Sequence, residues 1–279
     1  MYKVIKNERI SPNSYLMEIK AQDVINKALP GQFVILMAKE DSERIPLTIY
    51  DIDRKQGILS VIYQVVGAST EEMTKIKDEL FAVTGPLGKP NEICANPENY
   101  KGKKIVYVAG GVGIAPVYPQ VKYLKEKGFD VEVIYGARNA ELLLIRNKIE
   151  KVAKKVRYAT DDGSFGQKGF VTNILEDNIK NYDICVAIGP LIMMKNVAEL
   201  TKKYNLKTIV SMNPLMVDGS GMCGACRCEI EGKPKFACID GPEFDGHKVN
   251  FDLALKRMNI YKNEEEKLYK KMKKFLISE

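Results

Sequence analysis

Apolar positions along the chain change their rhythm twice. Over residues 1–98 they fall in short β-rich runs, at 2–6, 15–19, 32–37, 47–51 and 59–66. The turn sequences Ser11-Pro-Asn13, Pro30-Gly31 and Asp53-Arg-Lys-Gln-Gly57 divide them. Strands so closely spaced predict a closed antiparallel β-barrel. Residues 71–79 read as a short helix, and Gly85-Pro-Leu-Gly88 as a tight turn. Over residues 99–212 the strand candidates, at 104–109, 131–135, 156–160, 184–188 and 208–212, alternate with helical segments, at 117–127 and from 189 to about 204. That alternation predicts a doubly wound α/β domain. Residues 213–250 lose periodicity and gather cysteines. Residues 251–279 are charged and helix-prone, with Leu268, Met272, Phe275 and Leu276 on one face, so a terminal helix packed on the body is expected.

Composition narrows the chemistry. The 279 residues are 45% hydrophobic and 28% charged, enough apolar material for two domains and an appendage. No run of about 18 apolar residues occurs, so no membrane-spanning helix is expected. The N-terminal residues lack an apolar h-region, so the expectation is a cytoplasmic protein without a secretory signal. The net charge of +7 is spread along the chain; a solvated surface accounts for it, with a docking face for an acidic partner as the alternative. No nucleic-acid motif is present. The single histidine, His247, argues against a histidine-rich metal site.

Six cysteines are present, and four of them fall between Cys223 and Cys238. Clustered cysteines in such a chain indicate metal or redox chemistry rather than a disulfide framework. The stretch from Asp218 to Cys238 has the form D-x4-C-x2-C-x11-C. A plant-type 2Fe–2S loop is C-x4-C-x2-C…C, so the spacing fits if aspartate replaces the first cysteine. The alternative leaves Asp218 as a turn residue and makes Cys228 the fourth ligand. Only one residue separates Cys226 from Cys228, however, and Cys228 opens a strand at 228–230 that should turn it away. Cys94 and Cys185 stand alone and read as core or loop residues.

Two further stretches carry ligand chemistry. The strand Ile62-Tyr-Gln-Val-Val66 runs into Gly67-Ala-Ser-Thr70, where small residues before a helix let backbone N–H groups approach a phosphate. Ordinary barrel turns with a capping serine are the alternative. Gly110-Gly-Val-Gly-Ile-Ala-Pro116 joins a strand to a helix in a βαβ unit, a turn suited to a pyrophosphate although its spacing is not G-x-G-x-x-G.

With these motifs in place, nearly the whole chain resembles the ferredoxin–NADP reductase-type flavoproteins that carry a C-terminal 2Fe–2S loop. The stretches Met216–Cys226 and Phe236–His247 carry the likeness. The chain is similar to the electron-transfer subunit of dihydroorotate dehydrogenase B. It is more similar to the small subunits of NADH-dependent reduced ferredoxin:NADP oxidoreductases, also known as sulfide dehydrogenase small subunits. The first cluster ligand is a cysteine in the dihydroorotate relatives and an aspartate in the transhydrogenase relatives, as Asp218 is here.

The resemblance implies an FAD-binding β-barrel (1–98), an NAD(P)-binding α/β domain (99–212), a 2Fe–2S region (213–250) and a C-terminal helix (251–279). Pro46, Leu47 and Thr48 match the flavin element R-P-hydrophobic-S/T. Its arginine position is Ile45 here, with Arg44 one residue earlier. Ile62, Tyr63 and Gln64 match a second flavin strand, and Ser69 and Thr70 the element that holds the FAD pyrophosphate. Gly110, Gly111, Gly113, Ile114, Ala115 and Pro116 match the nucleotide loop. Gly136, Arg138, Asp161, Asp162, Gly163, Gly189 and Pro190 match the remaining nucleotide turns. The implied cluster ligands are Asp218, Cys223, Cys226 and Cys238. The cofactors are then FAD, a 2Fe–2S cluster and NAD(H), with NADP(H) the alternative nucleotide and Arg138 the candidate 2′-phosphate partner. The implied partner is a larger flavin and 4Fe–4S subunit that binds NADP(H) and reaches ferredoxin through the complex, without nucleic acid or membrane. The implied function is flavin-based electron bifurcation, with the dihydroorotate and sulfide dehydrogenase roles as alternatives. Hydride exchange of this kind rests on positioning, so no general acid or base is expected.

Overall fold

A computed structural model describes residues 1–277, with side chains through residue 270. Met272, Phe275 and Leu276 lie outside the residues whose side chains are described; Leu268 is exposed.

The first sheet is built from β1 (Tyr2–Ser11), β2 (Ser14–Lys20), β3 (Phe33–Met37), β4 (Ile45–Asp53), β5 (Ile58–Gln64), β6 (Glu79–Leu80) and β7 (Ala82–Leu87), with α1 (Gln22–Ile25) and α2 (Ala68–Met73) in its connections. Its order is β6-β1-β2-β5-β4-β3-β7, antiparallel throughout. The edge strands β6 and β7 are separated only by Phe81, so one bent segment nearly closes the barrel. The expected helix at 71–79 is therefore shorter. It ends at Met73, residues 74–78 form a turn, and Glu79 already pairs with Lys3 in β6, so ladder closure sets the limit of the helix. The expected tight turn at 85–88 is likewise extended through Leu87, which pairs with Phe33, and the chain turns at Gly88.

After α3 (Glu92–Ala95), the second sheet uses β8 (Ile105–Gly110), β9 (Val131–Ala137), β10 (Lys155–Thr160), β11 (Gln167–Lys168), β12 (Ile184–Ile188) and β13 (Lys207–Ser211). Helices α4 (Ile114–Glu126), α5 (Arg146–Val152), α6 (Val171–Asn178) and α7 (Leu191–Lys203) cover its faces. The parallel strands lie in the order β10-β9-β8-β12-β13, doubly wound as expected, with the switch point between β8 and β12. The cysteine segment follows, with a hairpin of β14 (Arg227–Ile230) and β15 (Lys233–Phe236) and then β16 (Glu243–Asp245). β16 pairs antiparallel with β13, so this segment extends the second sheet. Helices α8 (Phe251–Met258) and α9 (Lys262–Ile277) end the described chain, with Tyr269 of α9 donating to Glu71 of α2 at 3.0 Å.

Strand periodicity explains how the barrel holds its neighbours. On β3, Val34 and Leu36 face the barrel core, whereas Phe33 and Ile35 face outward into a core shared with Met216, Cys226 and Cys238. On β5, Leu59, Val61 and Tyr63 face inward, and Ile62 packs outward with Tyr50, Ile114 and Tyr107 of the second sheet's core. Tyr50 and Tyr118 meet with ring centroids 5.1 Å apart. The adjoining Lys122–Asp51 pair at 2.8 Å is partly exposed and contributes at most about 1 kcal/mol. Apolar burial, at roughly 25 cal/mol per Å², thus does more than the ion pair to join the barrel to the α/β domain.

Candidate functional site

Three groups of residues converge where these layers meet. The first is the carboxyl edge of the parallel sheet. Gly110, the last residue of β8, pairs in register with Gly136, next to last in β9. A Cβ at Gly113 would lie 2.2 Å from the Ile188 carbonyl oxygen, and one at Gly189 would lie 3.0 Å from Gly110. Only glycine lets the start of α4 come this close to the end of β12. Ile114 and Ala115 are buried under the turn, and Pro116 begins the partly exposed side of α4's first turn. The turns after β9 and β10 are knitted together: the Ala140 amide donates to Ser164 Oγ at 2.8 Å, and Ser164 Oγ donates to Asp162 at 2.6 Å. The Ser164 hydroxyl, then its amide, hold Asp162 below the usual carboxylate range. Asp161, Asp162, Gly163, Arg138 and Pro190 line the surface of this edge.

The second group is the barrel's strand ends. Pro46, Leu47 and Thr48 lie on β4 opposite Phe33, Val34 and Ile35. Ile62, Tyr63 and Gln64 end β5, which touches the Gly111–Gly113 turn. The side chain of Tyr63 goes the other way, stacked on Tyr15 and donating to Asn7 at 3.0 Å. Thr70 folds back on its turn: its Oγ1 accepts from the Val66 and Gly67 amides at 3.0 and 3.1 Å. Ser69 donates to Glu43. A Cβ on Gly67 would meet nothing within 4 Å, so open space lies beside this turn.

The third group is the cysteine loop. Cys226 and Cys238 are buried with sulfurs 3.1 Å apart. Burial first, then the neighbouring Cys226 thiol, push the Cys238 thiol above the ordinary thiol range. Cys223 is exposed, and Cys228 is buried within β14. The Asp218 carboxylate is drawn into the loop. It accepts from Ser220 Oγ at 2.6 Å and from the Met222 and Cys223 amides at 3.2 and 3.3 Å. The Ser220 hydroxyl chiefly holds it below the usual carboxylate range. Among the described residues, no three His, Cys, Asp or Glu side chains already converge on one point. The donor set nevertheless suits a 2Fe–2S cluster. Asp218, Cys223 and Cys226 share one loop, Cys238 returns to it after the β14–β15 hairpin, and the Ala225 and Cys238 amides aim at the sulfurs of Cys223 and Cys226, at 3.5 Å each. Such N–H donors to sulfur are part of how proteins tune these clusters.

The sequence did not reveal the contacts that join the groups. Arg44 donates to the carbonyls of Val217 and Asp218, at 3.0 and 3.1 Å. From the other side, Arg257 of α8 donates to the Ala225 carbonyl at 3.2 Å. On β16, Glu243 accepts from Asn91, which caps α3, at 2.6 Å and from Gln120 of α4 at 2.8 Å. Burial pushes its carboxyl up to about 7. Glu243 lies within the Phe236–His247 stretch, but nothing in the chain's local pattern marked its carboxyl as enclosed.

A flavin-type barrel, a switch-point nucleotide edge and a cysteine loop on one junction define an oxidoreductase of the ferredoxin–NADP reductase type, with FAD, NAD(H) and a 2Fe–2S cluster as its cofactors. Residues 107–199 match the oxidoreductase NAD-binding domain, and residues 213–250 match the iron-sulfur cluster binding domain of dihydroorotate dehydrogenase B. The chain is 40% identical over 276 residues to the dihydroorotate dehydrogenase B (NAD(+)) electron transfer subunit homolog of Thermotoga maritima, covering 98% of this chain and 95% of that one. It is 34% identical over 253 residues to the corresponding subunit of Clostridium acetobutylicum, covering 88% and 95%. Among solved structures, it matches a chain from work on flavin-based electron bifurcation in NADH-dependent reduced ferredoxin-NADP oxidoreductase. The TM-score is 0.87 at 36% identity, covering 98% of both chains. The chain belongs to the family of dihydroorotate dehydrogenase B electron-transfer subunits and their homologues. Its relatives are named as electron-transfer subunits.

Proposed function

We propose that this chain is the NAD(H)-exchanging subunit of a flavin-based electron-bifurcating transhydrogenase. In this reading it works in the cytoplasm beside a larger flavin and 4Fe–4S subunit that binds NADP(H) and serves ferredoxin. The single observation that carries this reading is Asp218 at the head of the cysteine loop, where the dihydroorotate relatives have cysteine. The likeness over 98% of both chains to the ferredoxin-NADP oxidoreductase structure supports it.

FAD, when bound, supplies the exchange between a hydride of NAD(H) and the single electrons of the cluster. In this reading residues 1–98 hold the flavin. Pro46–Thr48 and the backbone of Ile62–Gln64 border the ring, and the Gly67–Thr70 turn offers amides to the pyrophosphate. Residues 99–212 hold the nucleotide on Gly110–Pro116, Gly136, Arg138, Asp161–Gly163, Gly189 and Pro190. Asp218, Cys223, Cys226 and Cys238 hold the cluster, and α8 packs on β14 beside it. The protein's part is orientation, the nucleotide edge meeting the flavin strand where β5 touches the Gly111–Gly113 turn.

The experiment is to purify the native complex and identify its subunits, then titrate its flavin with NADH and NADPH. A partner with flavin and 4Fe–4S centres, and bleaching by NADH through this chain, are expected. Co-purification with a dihydroorotate-oxidising subunit would overturn the reading.

A further inference from the structure

Residues 44 and 217 are far apart in sequence, yet Arg44 joins the flavin strand to the cysteine loop. It stands immediately before β4, two residues ahead of Pro46. Its Nε donates to the Val217 carbonyl at 3.0 Å and its Nη2 to the Asp218 carbonyl at 3.1 Å. Nη1 lies 3.5 Å from Met37 Sδ, on the neighbouring strand β3. The three nitrogens of the fork are therefore all engaged within the protein. The geometry suits arginine alone: a planar guanidinium can serve two successive carbonyls at once, whereas a lysine ammonium is a point donor on a flexible stem.

The loop needs such a tie. Gly219, at φ +78°, follows directly, and a Cβ there would lie 2.5 Å from Ile35. The backbone thus presses onto the outer face of β3 just where Arg44 grips it. Nothing else in the loop's first turn bonds to the barrel among the hydrogen bonds of the described residues.

We infer that Arg44 is a positioning residue that clamps the Asp218 end of the cluster loop to the flavin strand, rather than a ligand of the FAD phosphate. It sets the path between flavin and cluster and places a fixed positive charge beside Asp218. This rests on the reading that the loop carries a 2Fe–2S cluster. A cation there favours the reduced, more negative cluster, so its loss lowers the potential.

The test compares the cofactor-loaded wild-type chain with Arg44→Lys and Arg44→Met. Four quantities are measured: amide hydrogen exchange over residues 217–223, FAD content, the cluster's EPR spectrum and potential, and the rate at which NADH reduces the cluster. Losing two charge-assisted bonds is expected to speed exchange of the loop by about tenfold or more. The potential should fall, and cluster reduction should slow more than flavin reduction, while FAD content stays at the wild-type level. Arg44→Lys should be intermediate, which also keeps the test informative if Arg44→Met folds poorly. Loss of FAD with an unchanged loop and EPR spectrum would overturn the inference and return Arg44 to the phosphate. Unchanged exchange, spectrum and potential in both variants would overturn it too. A wild-type chain without any 2Fe–2S signal would instead refute the underlying reading, and the exchange measurement would still report whether Arg44 grips the loop.

Discussion

Asp218 and Glu243 are two carboxylates with opposite environments. Asp218 is surrounded by donors from its own loop and is held ionised. A carboxylate is a harder donor than a thiolate. Asp218→Cys is therefore expected to lower the cluster potential and change its EPR spectrum, and an unchanged spectrum would remove Asp218 from the ligand set. The Glu243 carboxyl is enclosed by Asn91 and Gln120, with Glu92 nearby. Its folded value near 7 lies above the roughly 4.3 of an unfolded glutamate. The folded form then holds a proton that the unfolded form has lost. The stabilisation is complete below about pH 4 and declines as pH rises to about 7, by on the order of 3 kcal/mol. Glu243→Gln should remove most of that slope, seen as melting temperatures at pH 5 and pH 7.5 that lie closer together than in the wild type. Arg44 was legible only as a displaced motif residue; its partners are two carbonyls more than 170 positions away, and no local pattern encodes such a contact.

Among the elements, the glycine turns separate packing from ligand binding. Gly113→Ala would drive a methyl group into the Ile188 carbonyl, so a loss of about 1–3 kcal/mol or more is expected, together with weaker NADH binding. Gly67→Ala meets open space and an extended backbone. Its melting temperature should match wild type without FAD, whereas FAD retention should drop if the Gly67–Thr70 turn holds the pyrophosphate. Fluorescence of released flavin and parallel thermal melts check both. The boundaries of α2 and β6 show the limit of element-level reading. Residues 71–79 have helical composition, but closure of the barrel through Leu80 and Tyr2 pulls the end of that stretch into a strand.

At the scale of the whole molecule, the barrel and the second sheet share their packing. Ile62 and Tyr50 of the barrel pack with Tyr107 and Ile114, and Phe33 and Ile35 pack with Cys226 and Cys238. Barrel, α/β sheet and cluster segment should therefore unfold together. Calorimetry of the cofactor-loaded chain is expected to give one transition, and two resolved peaks would contradict the shared cores. The order of modules was readable from sequence because each has its own local period: alternating strands, then strand–helix units, then cysteine spacing. The same local chemistry marked Gly110–Pro116 and the Asp218–Cys238 loop as sites. Which faces those modules share was decided only in three dimensions. β16 completing the second sheet, Glu243 held between α3 and α4, and Arg44 gripping the cluster loop all join residues remote in sequence. Their free energy comes from burial and hydrogen bonds that exist only once the layers have docked, so no single stretch of the chain carries their signature.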